Sequence, residues 1–242
     1  MERRFQSSVN DGWVRLFLCY DSFGILKKEM ILEWRIVMVE KQIDRKLHIQ
    51  TNGIREWGKD GSQYNRYEAT PYQALEKFFA AHPLDKEDRV VDFGCGRGRV
   101  TFYIHDKFQI PVTGIEANDK TFTEALKNKE TYRRKRSHIQ APISLEFNLA
   151  EQYDIQAEDT CFYFFNPFSL QIFKQVVMNI KRSLRENHRQ AELILYYPLP
   201  AFKQFLQMHT NFELIKRIKV PGDHGRYGKF VVYRYPQIEQ IS

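Results

Sequence analysis

The sequence predicts an α/β fold, a three-layer sandwich built on a seven-stranded, mostly parallel sheet. Three observations lead to this prediction. From residue 89 onward, short apolar runs alternate with segments of helical periodicity, which is typical of parallel strands joined by right-handed crossovers. A glycine-rich turn follows the first of these runs. The last two apolar runs have no helical pattern between them, so they predict an antiparallel hairpin at the end of the sheet.

Residues 1–68 are predicted to be an N-terminal extension, and residues 69–242 the main domain. Residues 33–50 have a strand-like pattern in places, and the polar, glycine-containing stretch 51–65 is typical of a loop. We therefore expect the extension to form a cap of strand and loop.

The extension begins with a fairly apolar leader at residues 13–25. Arg15 and Asp21 interrupt it and no small-residue cleavage site follows, which disfavours a signal peptide. No run of about 18 apolar residues occurs in the chain, so no membrane span is predicted. Because the leader has no evident place in the main domain, a chain beginning at Met38 is expected to fold without it.

The main domain is predicted to open with a helix, for which Thr70 is the N-cap and Pro71 the first helical residue. Strands are then expected at 89–93, 112–116, 143–147, 161–165 and 192–197, and helices at 98–108, 120–135 and 170–184. Strands at 212–220 and 229–235 would form the closing hairpin. This order is that of a parallel sheet with one antiparallel edge.

The composition is that of an ordinary globular protein, with 43% hydrophobic and 28% charged residues. Cys19, Cys95 and Cys161 lie far apart, which predicts neither a disulfide framework nor a zinc site and suits a cytoplasmic protein. The histidines also lack the spacing of metal ligands, so no metal is expected. The net charge of +7 favours an anionic partner, although a solvated basic surface explains it as well.

The strongest single feature is the run VVDFGCGRGR at residues 90–99, a buried strand that leads into a glycine-rich turn. Glycines there let the backbone reverse tightly and let a ligand approach without a β-carbon in the way. In a dinucleotide fingerprint the third glycine falls three residues after the second, but Arg99 has that position and glycine stands at Gly98. The spacing disfavours a nucleotide- or NAD-dependent oxidoreductase, which stays the alternative.

Together with Asp92, this turn resembles motif I of the class I S-adenosylmethionine-dependent methyltransferases, and the resemblance extends over residues 70–235. It implies a Rossmann-like fold with S-adenosyl-L-methionine as cofactor. It also implies which residues bind that cofactor: Asp92 near the amino group, and Gly94, Cys95 and Gly96 under the methionine part, with Gly98 completing the turn.

Three more residues are predicted to bind the cofactor. Glu116 ends the second strand, where an acidic residue can accept both ribose hydroxyls. Asn148 matches the family's acidic or amide residue at the adenine, although Leu149 or Glu151 would serve nearly as well and an Asn turn explains it equally. Thr70 lies in a T-P segment like the one that closes over the methionine end in amino-methyltransferases, and a plain helix N-terminus is the alternative.

Asn166, Pro167 and Phe168 follow the fourth strand and resemble the N-P-P-[YF] motif of amino-group methyltransferases. The resemblance implies that the Asn side-chain oxygen and the following backbone carbonyl accept hydrogen bonds from an NH₂ group, while the aromatic ring stacks on the substrate. The second proline is absent, so the aromatic is displaced by one position. These three are the predicted catalytic residues; a proline-ended strand with a core Phe is the alternative.

The sequence thus predicts a methyltransferase acting on an amine or amide nitrogen, with RNA, DNA or protein open as the acceptor. The basic run at residues 133–136 could neutralise phosphates, or it could simply favour the C-terminal end of a helix dipole. A non-catalytic S-adenosylmethionine-binding module with the same fold is a further alternative.

Overall fold

The computed structural model describes residues 37–56, 63–220 and 227–236, so the leader at 13–25 lies outside the described residues. By its internal contacts the chain divides into two compact units, Met1–Gln42 and Ile43–Ser242. Of the first unit only residues 37–42 are described, and they are helical. The division predicted at residues 68 and 69 stays a prediction.

Seven strands form one sheet in the second unit. They are β1 (Val90–Phe93), β2 (Val112–Glu116), β3 (Ile143–Phe147), β4 (Cys161–Phe165), β5 (Ala191–Tyr196), β6 (Glu213–Lys219) and β7 (Lys229–Tyr235). The order across the sheet is β3-β2-β1-β4-β5-β7-β6. Strands β1 to β5 pair in parallel, whereas β7 runs antiparallel to both β5 and β6. The predicted mostly parallel, Rossmann-like sheet with a closing hairpin is confirmed.

Helices cover both faces of this sheet. They are α1 (37–47), α2 (Tyr72–Ala81), α3 (Arg99–Phe108), α4 (Asp119–Lys135), α5 (Leu170–Glu186) and α6 (Pro200–His209), with a short 3₁₀ turn at Ala150–Gln152. Because side chains alternate along a strand, Val90 belongs to the apolar cluster that includes Phe78 of α2, and Val91 belongs to a second cluster that includes Phe173 of α5. The two apolar layers and the sheet between them make the three-layer sandwich.

The strand-like pattern assigned to residues 33–50 is wrong for residues 37–47, which are helical. The β-branched residues of the run IVMV suggested a strand, but Ile43 and Leu47 are four residues apart, so they lie on one helix face and pack in the core. His48, with φ of 58°, follows the helix in the left-handed conformation. Helix α6 was not predicted, although Phe202, Phe205 and Leu206 have helical spacing and are buried.

Thr70 is not the N-cap of α2. The structure has Pro71 at the cap position with no side-chain cap hydrogen bond. Thr70 Oγ1 instead shares a hydrogen bond with the Tyr163 hydroxyl, 2.9 Å away in the core. The hydroxyl therefore ties the chain before α2 to the neighbouring strand β4.

The sheet order places the candidate site. Strand β1 lies between β2 and β4, and the chain leaves their carboxyl ends in opposite directions along the sheet. A crevice outside the carboxyl ends of strands at such a switch point is where open α/β sheets bind ligands. The glycine turn follows β1, Glu116 ends β2, and Asn166 follows β4, so the fold brings all three to one edge.

Candidate active site

A cavity of about 60 Å³ lies at the carboxyl ends of β1, β2 and β4. Eight of the residues predicted from the sequence line it: Thr70, Asp92, Gly94, Cys95, Glu116, Asn148, Pro167 and Phe168. Asn166, Gly96 and Gly98 are not among its lining residues. The fold thus assembles most of the predicted site around one small space.

The glycine turn adopts a backbone that other residues rarely adopt. Gly94 and Gly96 have φ of 73° and 59°, both in the left-handed region. A β-carbon at Gly94 would overlap Pro167, and one at Gly96 would overlap the ring of Tyr67. Glycine at 96 therefore makes room for Tyr67, and this ring separates the turn from the cavity at that position.

Glu116 ties the end of β2 to the glycine turn. Its carboxylate oxygens accept hydrogen bonds from the Gly96 amide at 2.9 Å and from the Asn118 amide at 2.7 Å. The side chain is only 7% exposed, and burial raises its pKa, while these backbone donors lower it. The carboxylate is thus held in one orientation at the wall of the cavity.

Asp92 is the second carboxyl group of the cavity, and it is 2% exposed. Its Oδ2 accepts a hydrogen bond from the Thr101 hydroxyl at 2.8 Å. The pKa of Asp92 is raised to about 7, mainly because the group is buried; the hydrogen bonds from Thr101 lower it and the charge of Glu116 raises it. At neutral pH the group is therefore divided between the acid and the carboxylate, and a cation beside it would keep it ionised.

Asn166 combines a strained backbone with an unsatisfied side chain. Its φ is 41°, an uncommon value for a residue other than glycine. Its Oδ1 is the one buried side-chain nitrogen or oxygen without a hydrogen-bond partner among the residues that the structure describes. An unpaired buried acceptor costs about 1–3 kcal/mol, and strain of this kind is concentrated at functional sites.

Phe168 lines the cavity but is fully buried. Its ring packs edge-on against Tyr64 and Phe164, each with ring centres 6.1 Å apart. The aromatic thus has a core position in the described conformation, and its stacking on a substrate stays a prediction. Phe165, the last residue of β4, also lines the cavity and is only partly buried.

Cys95 and Asn148 complete the predicted set at the cavity wall. The Cys95 thiol is buried, and burial raises its pKa well above the ordinary value, so it is not a reactive thiolate. Asn148 donates its backbone N–H to the carbonyl of Glu116 at 3.2 Å. This bond involves only the backbone of Asn148, and the contact predicted between its side chain and adenine stays a prediction.

Sequence reasoning missed the part of the wall that comes from residues 55–69. The predicted loop at 51–65 contributes Arg55, Tyr64 and Asn65 to the cavity, and the residues that follow it contribute Arg66, Tyr67, Glu68 and Ala69. The Tyr67 hydroxyl donates to the Thr51 carbonyl at 2.5 Å, and the Arg97 guanidinium lies 5.0 Å from the centre of the ring. The signal available was a pair of tyrosines in an otherwise polar stretch directly before Thr70.

Arg99 also lines the cavity, although no role was predicted for it. Its Nε donates to the Thr51 hydroxyl at 2.6 Å, and its Nη2 lies 3.8 Å from the Asp44 carboxylate. Asp44 in turn accepts from the Tyr72 hydroxyl at 2.7 Å. This buried cluster fixes the segment after α1 to the first turn of α3.

Three of the four residues in the basic run at 133–136 have partners within the fold, and one of them, Arg134, pairs with Glu130 at an exposed position. Arg136 pairs with Asp106 and donates to the Lys46 carbonyl, and Arg133 donates to the Ile139 carbonyl. These two side chains therefore have structural partners, which weakens a phosphate-binding role for the run as a whole.

Among the described ranges, no group of three His, Cys, Asp or Glu residues could hold a metal ion. Within the same ranges, no helix has the length and apolar character needed to cross a membrane.

Comparison with protein-family models found no match, and neither did comparison with curated proteins. Among solved structures, the [4+2]-cyclase SpnF is 16% identical, with 82% of this chain and 96% of that chain covered and a TM-score of 0.54. The PH0226 protein of Pyrococcus horikoshii OT3 is 14% identical, with 70% and 93% covered and a TM-score of 0.51. An RNA methyltransferase from Salinibacter ruber, in complex with S-adenosyl-L-homocysteine, is 16% identical, with 72% and 97% covered and a TM-score of 0.47.

At these identities the likeness to SpnF and to PH0226 shows a shared fold. Since one of these proteins is a cyclase, the fold by itself does not decide which reaction is catalysed, and function has to be argued from the site.

Proposed function

We propose that this protein is an S-adenosylmethionine-dependent methyltransferase that transfers the methyl group to an amine or amide nitrogen. One observation carries the proposal. Two buried carboxyl groups, Asp92 and Glu116, flank a left-handed glycine turn at the switch point of the sheet. On the neighbouring strand end, Asn166 keeps a buried acceptor oxygen unpaired.

The residues fit the chemistry of the cofactor. S-Adenosylmethionine carries an ammonium group and a ribose diol, and it supplies a methyl group activated on a sulfonium. Asp92 is suited to the ammonium group, because a cation would remove the penalty that burial places on its ionised form. A carboxylate offers about four lone-pair sites, so Glu116 can accept from two ribose hydroxyls besides its two backbone donors.

Positioning would provide most of the catalysis. Asn166 Oδ1 would accept a hydrogen bond from the acceptor nitrogen and orient its lone pair along the line of transfer. Phe165 and Tyr67 line the cavity, and their rings would exclude water from the reacting atoms. No general base is needed before attack, because transfer from a sulfonium is already downhill, and the nitrogen loses its proton afterwards.

A ligand panel tests the cofactor. S-Adenosylhomocysteine should raise the melting temperature, because a ligand that binds only the native state stabilises it by mass action, and NAD should not. The reverse result would favour the oxidoreductase alternative and overturn the proposal.

A labelling experiment tests the reaction. Purified protein is incubated with methyl-tritiated S-adenosylmethionine and with separate fractions of RNA, DNA, protein and small molecules. Label in one fraction, lost with Asn166→Ala and kept with the exposed-residue control Glu146→Ala, would support the proposal and name the acceptor class. Tight cofactor binding with no label in any fraction would favour the binding-module alternative.

A further inference from the structure

Residues 63–68, called the strap below, pair with the loop that follows β4. The Ser169 amide donates to the Gln63 carbonyl at 2.7 Å, and the Asn65 amide donates to the Pro167 carbonyl at 2.9 Å. Between these two bonds, Tyr64 and Phe168 form an isolated antiparallel bridge. The strap is therefore bonded to residues 167–169 through a single antiparallel bridge.

Asn65 makes the closest approach to the predicted catalytic residues. Besides its backbone bond to Pro167, its Nδ2 donates to the main-chain carbonyl of Asn166 at 2.7 Å. Under the proposed function, an acceptor NH₂ would bind to Asn166 Oδ1 and to the Pro167 carbonyl. The main-chain N–H of Asn65 therefore already occupies the Pro167 carbonyl. Asn166 Oδ1 has no hydrogen-bond partner.

The strap also limits the size of the cavity. Tyr64, Asn65, Arg66, Tyr67 and Glu68 all line it. At roughly 10–15 Å³ per water, a volume of about 60 Å³ has room for on the order of five waters, whereas sites for small organic ligands measure roughly 300–1,000 Å³. In the described conformation, the strap therefore forms one wall of a narrow cavity.

The contacts of the strap are of a kind that can open locally. Its link to the loop includes two main-chain hydrogen bonds, the bond that Asn65 Nδ2 donates, and a bond from the Ser169 hydroxyl to the Gln63 side-chain oxygen. The Tyr64 ring also packs edge-on against Phe168. Four of its six residues, Gln63, Asn65, Arg66 and Glu68, are exposed. Segments with few buried apolar contacts and exposed hydrogen bonds are those that open at low cost.

We propose that the strap is a gate whose Asn65 occupies the acceptor subsite, so that cofactor and acceptor bind only after Asn65 leaves Pro167. Asn65 then determines which methyl acceptors can enter the site. An acceptor must itself donate to the Pro167 carbonyl, in place of the main-chain N–H of Asn65. This inference rests on the proposed function.

A reversible crosslink tests the gate directly. Tyr64 and Phe168 are a non-hydrogen-bonded antiparallel pair, for which Cα atoms lie about 4.5 Å apart, within the range that a disulfide bridges. In the double variant Tyr64→Cys with Phe168→Cys, oxidation should slow the association of radiolabelled S-adenosylhomocysteine at least ~100-fold, and reduction should restore it. Equal association rates in the two redox states of this variant would overturn the gate.

A milder pair of variants keeps the test valid if the double variant does not fold. Asn65→Ala removes the side-chain bond to the loop. Glu56→Ala is its control, because Glu56 is exposed and does not line the cavity. Asn65→Ala should raise the association rate of S-adenosylhomocysteine about threefold or more and speed hydrogen exchange at the Ser169 amide, while Glu56→Ala changes neither. Unchanged rates in both variants would refute the gate.

The two failures are distinguishable. If the wild-type protein does not bind S-adenosylhomocysteine at all, the proposed function fails. If it binds, and neither the crosslink nor Asn65→Ala alters the association rate, only the gate fails.

Discussion

The protonation of Asp92 leads to a quantitative prediction for the variant Asp92→Asn. Raising the pKa from 3.8 to about 7 is a shift of about 3 pH units. At ~1.4 kcal/mol per unit, the ionised carboxyl destabilises the folded, ligand-free protein by on the order of 4 kcal/mol. Asn has nearly the same shape and keeps an oxygen that can accept from Thr101, so it removes the titration with little change in packing.

The sign follows from which state holds the proton. Below about pH 3.8 Asp92 is protonated in both the folded and the unfolded state, so the ionised carboxyl takes nothing from the free energy of unfolding. Between about pH 3.8 and 7 the unfolded chain has lost the proton while the folded protein keeps it, so the free energy of unfolding falls as the pH rises. Above about pH 7 the loss is complete. Glu116, whose pKa is also raised, acts in the same direction.

A bound ammonium group would reverse this penalty, so cofactor affinity should increase with pH. Between pH 5.5 and 7 the dissociation constant of S-adenosylhomocysteine should fall by about tenfold in the wild-type protein, because binding expels the Asp92 proton. In Asp92→Asn the same titration should be nearly flat, which corrects for ionisation of the ligand's own amine.

Calorimetry in two buffers of different ionisation enthalpy would measure the proton released on binding at pH 6. Thermal melts of the ligand-free proteins at pH 5.5 and 8.5 would measure how much ionised Asp92 destabilises the fold. The melting temperature of Asp92→Asn should exceed that of the wild type by more at pH 8.5 than at pH 5.5. Affinity independent of pH in the wild type, or an identical pH dependence in Asp92→Asn, would refute the assignment of Asp92 to the cofactor's amino group.

The remaining predictions concern the other parts of the site. Asn166→Ala should lower turnover by about 10²-fold or more through loss of positioning while cofactor affinity changes little; full turnover with the natural acceptor would contradict its role. Glu116→Ala should weaken cofactor binding by roughly 1.5–3 kcal/mol through loss of charge-assisted hydrogen bonds, measured by calorimetry, and an unchanged dissociation constant would count against the ribose contact. Gly96→Ala should lower the melting temperature because its β-carbon overlaps Tyr67, and it should be rescued in part by Tyr67→Ala. A chain beginning at Met38 should melt and bind cofactor like the full chain, since it retains Asp44 and Leu47; an insoluble product would show that the preceding residues are needed.

Local patterns determined much of the fold. The run from Val90 to Phe93 is apolar except for Asp92 and is followed by glycines at 94, 96 and 98, so a strand and a turn could be placed from neighbouring residues alone. Parallel-sheet connectivity then placed Glu116 and Asn166 at the same edge, because parallel strands share the direction of their carboxyl ends. The local signal failed where two patterns overlapped, as in α1, whose β-branched residues suggested a strand.

The environment of the predicted residues depended on contacts between distant parts of the chain. The sequence nominated Asp92 and Asn166, but the raised pKa of one and the unpaired oxygen of the other follow from burial. Burial depends on how the helices pack over the sheet, so it cannot be predicted from any short stretch of neighbouring residues.

The sequence by itself determined the order of strands and helices and the chemical groups at the carboxyl edge, since both depend on short-range periodicity and on general rules of chain connection. Only the tertiary structure decided how that edge is closed. The strap pairs with residues about 100 positions further along the chain, as the bond from the Asn65 main-chain N–H to the Pro167 carbonyl shows. Main-chain hydrogen bonds of this kind are available to almost any sequence, so they leave no residue pattern by which the pairing could have been predicted.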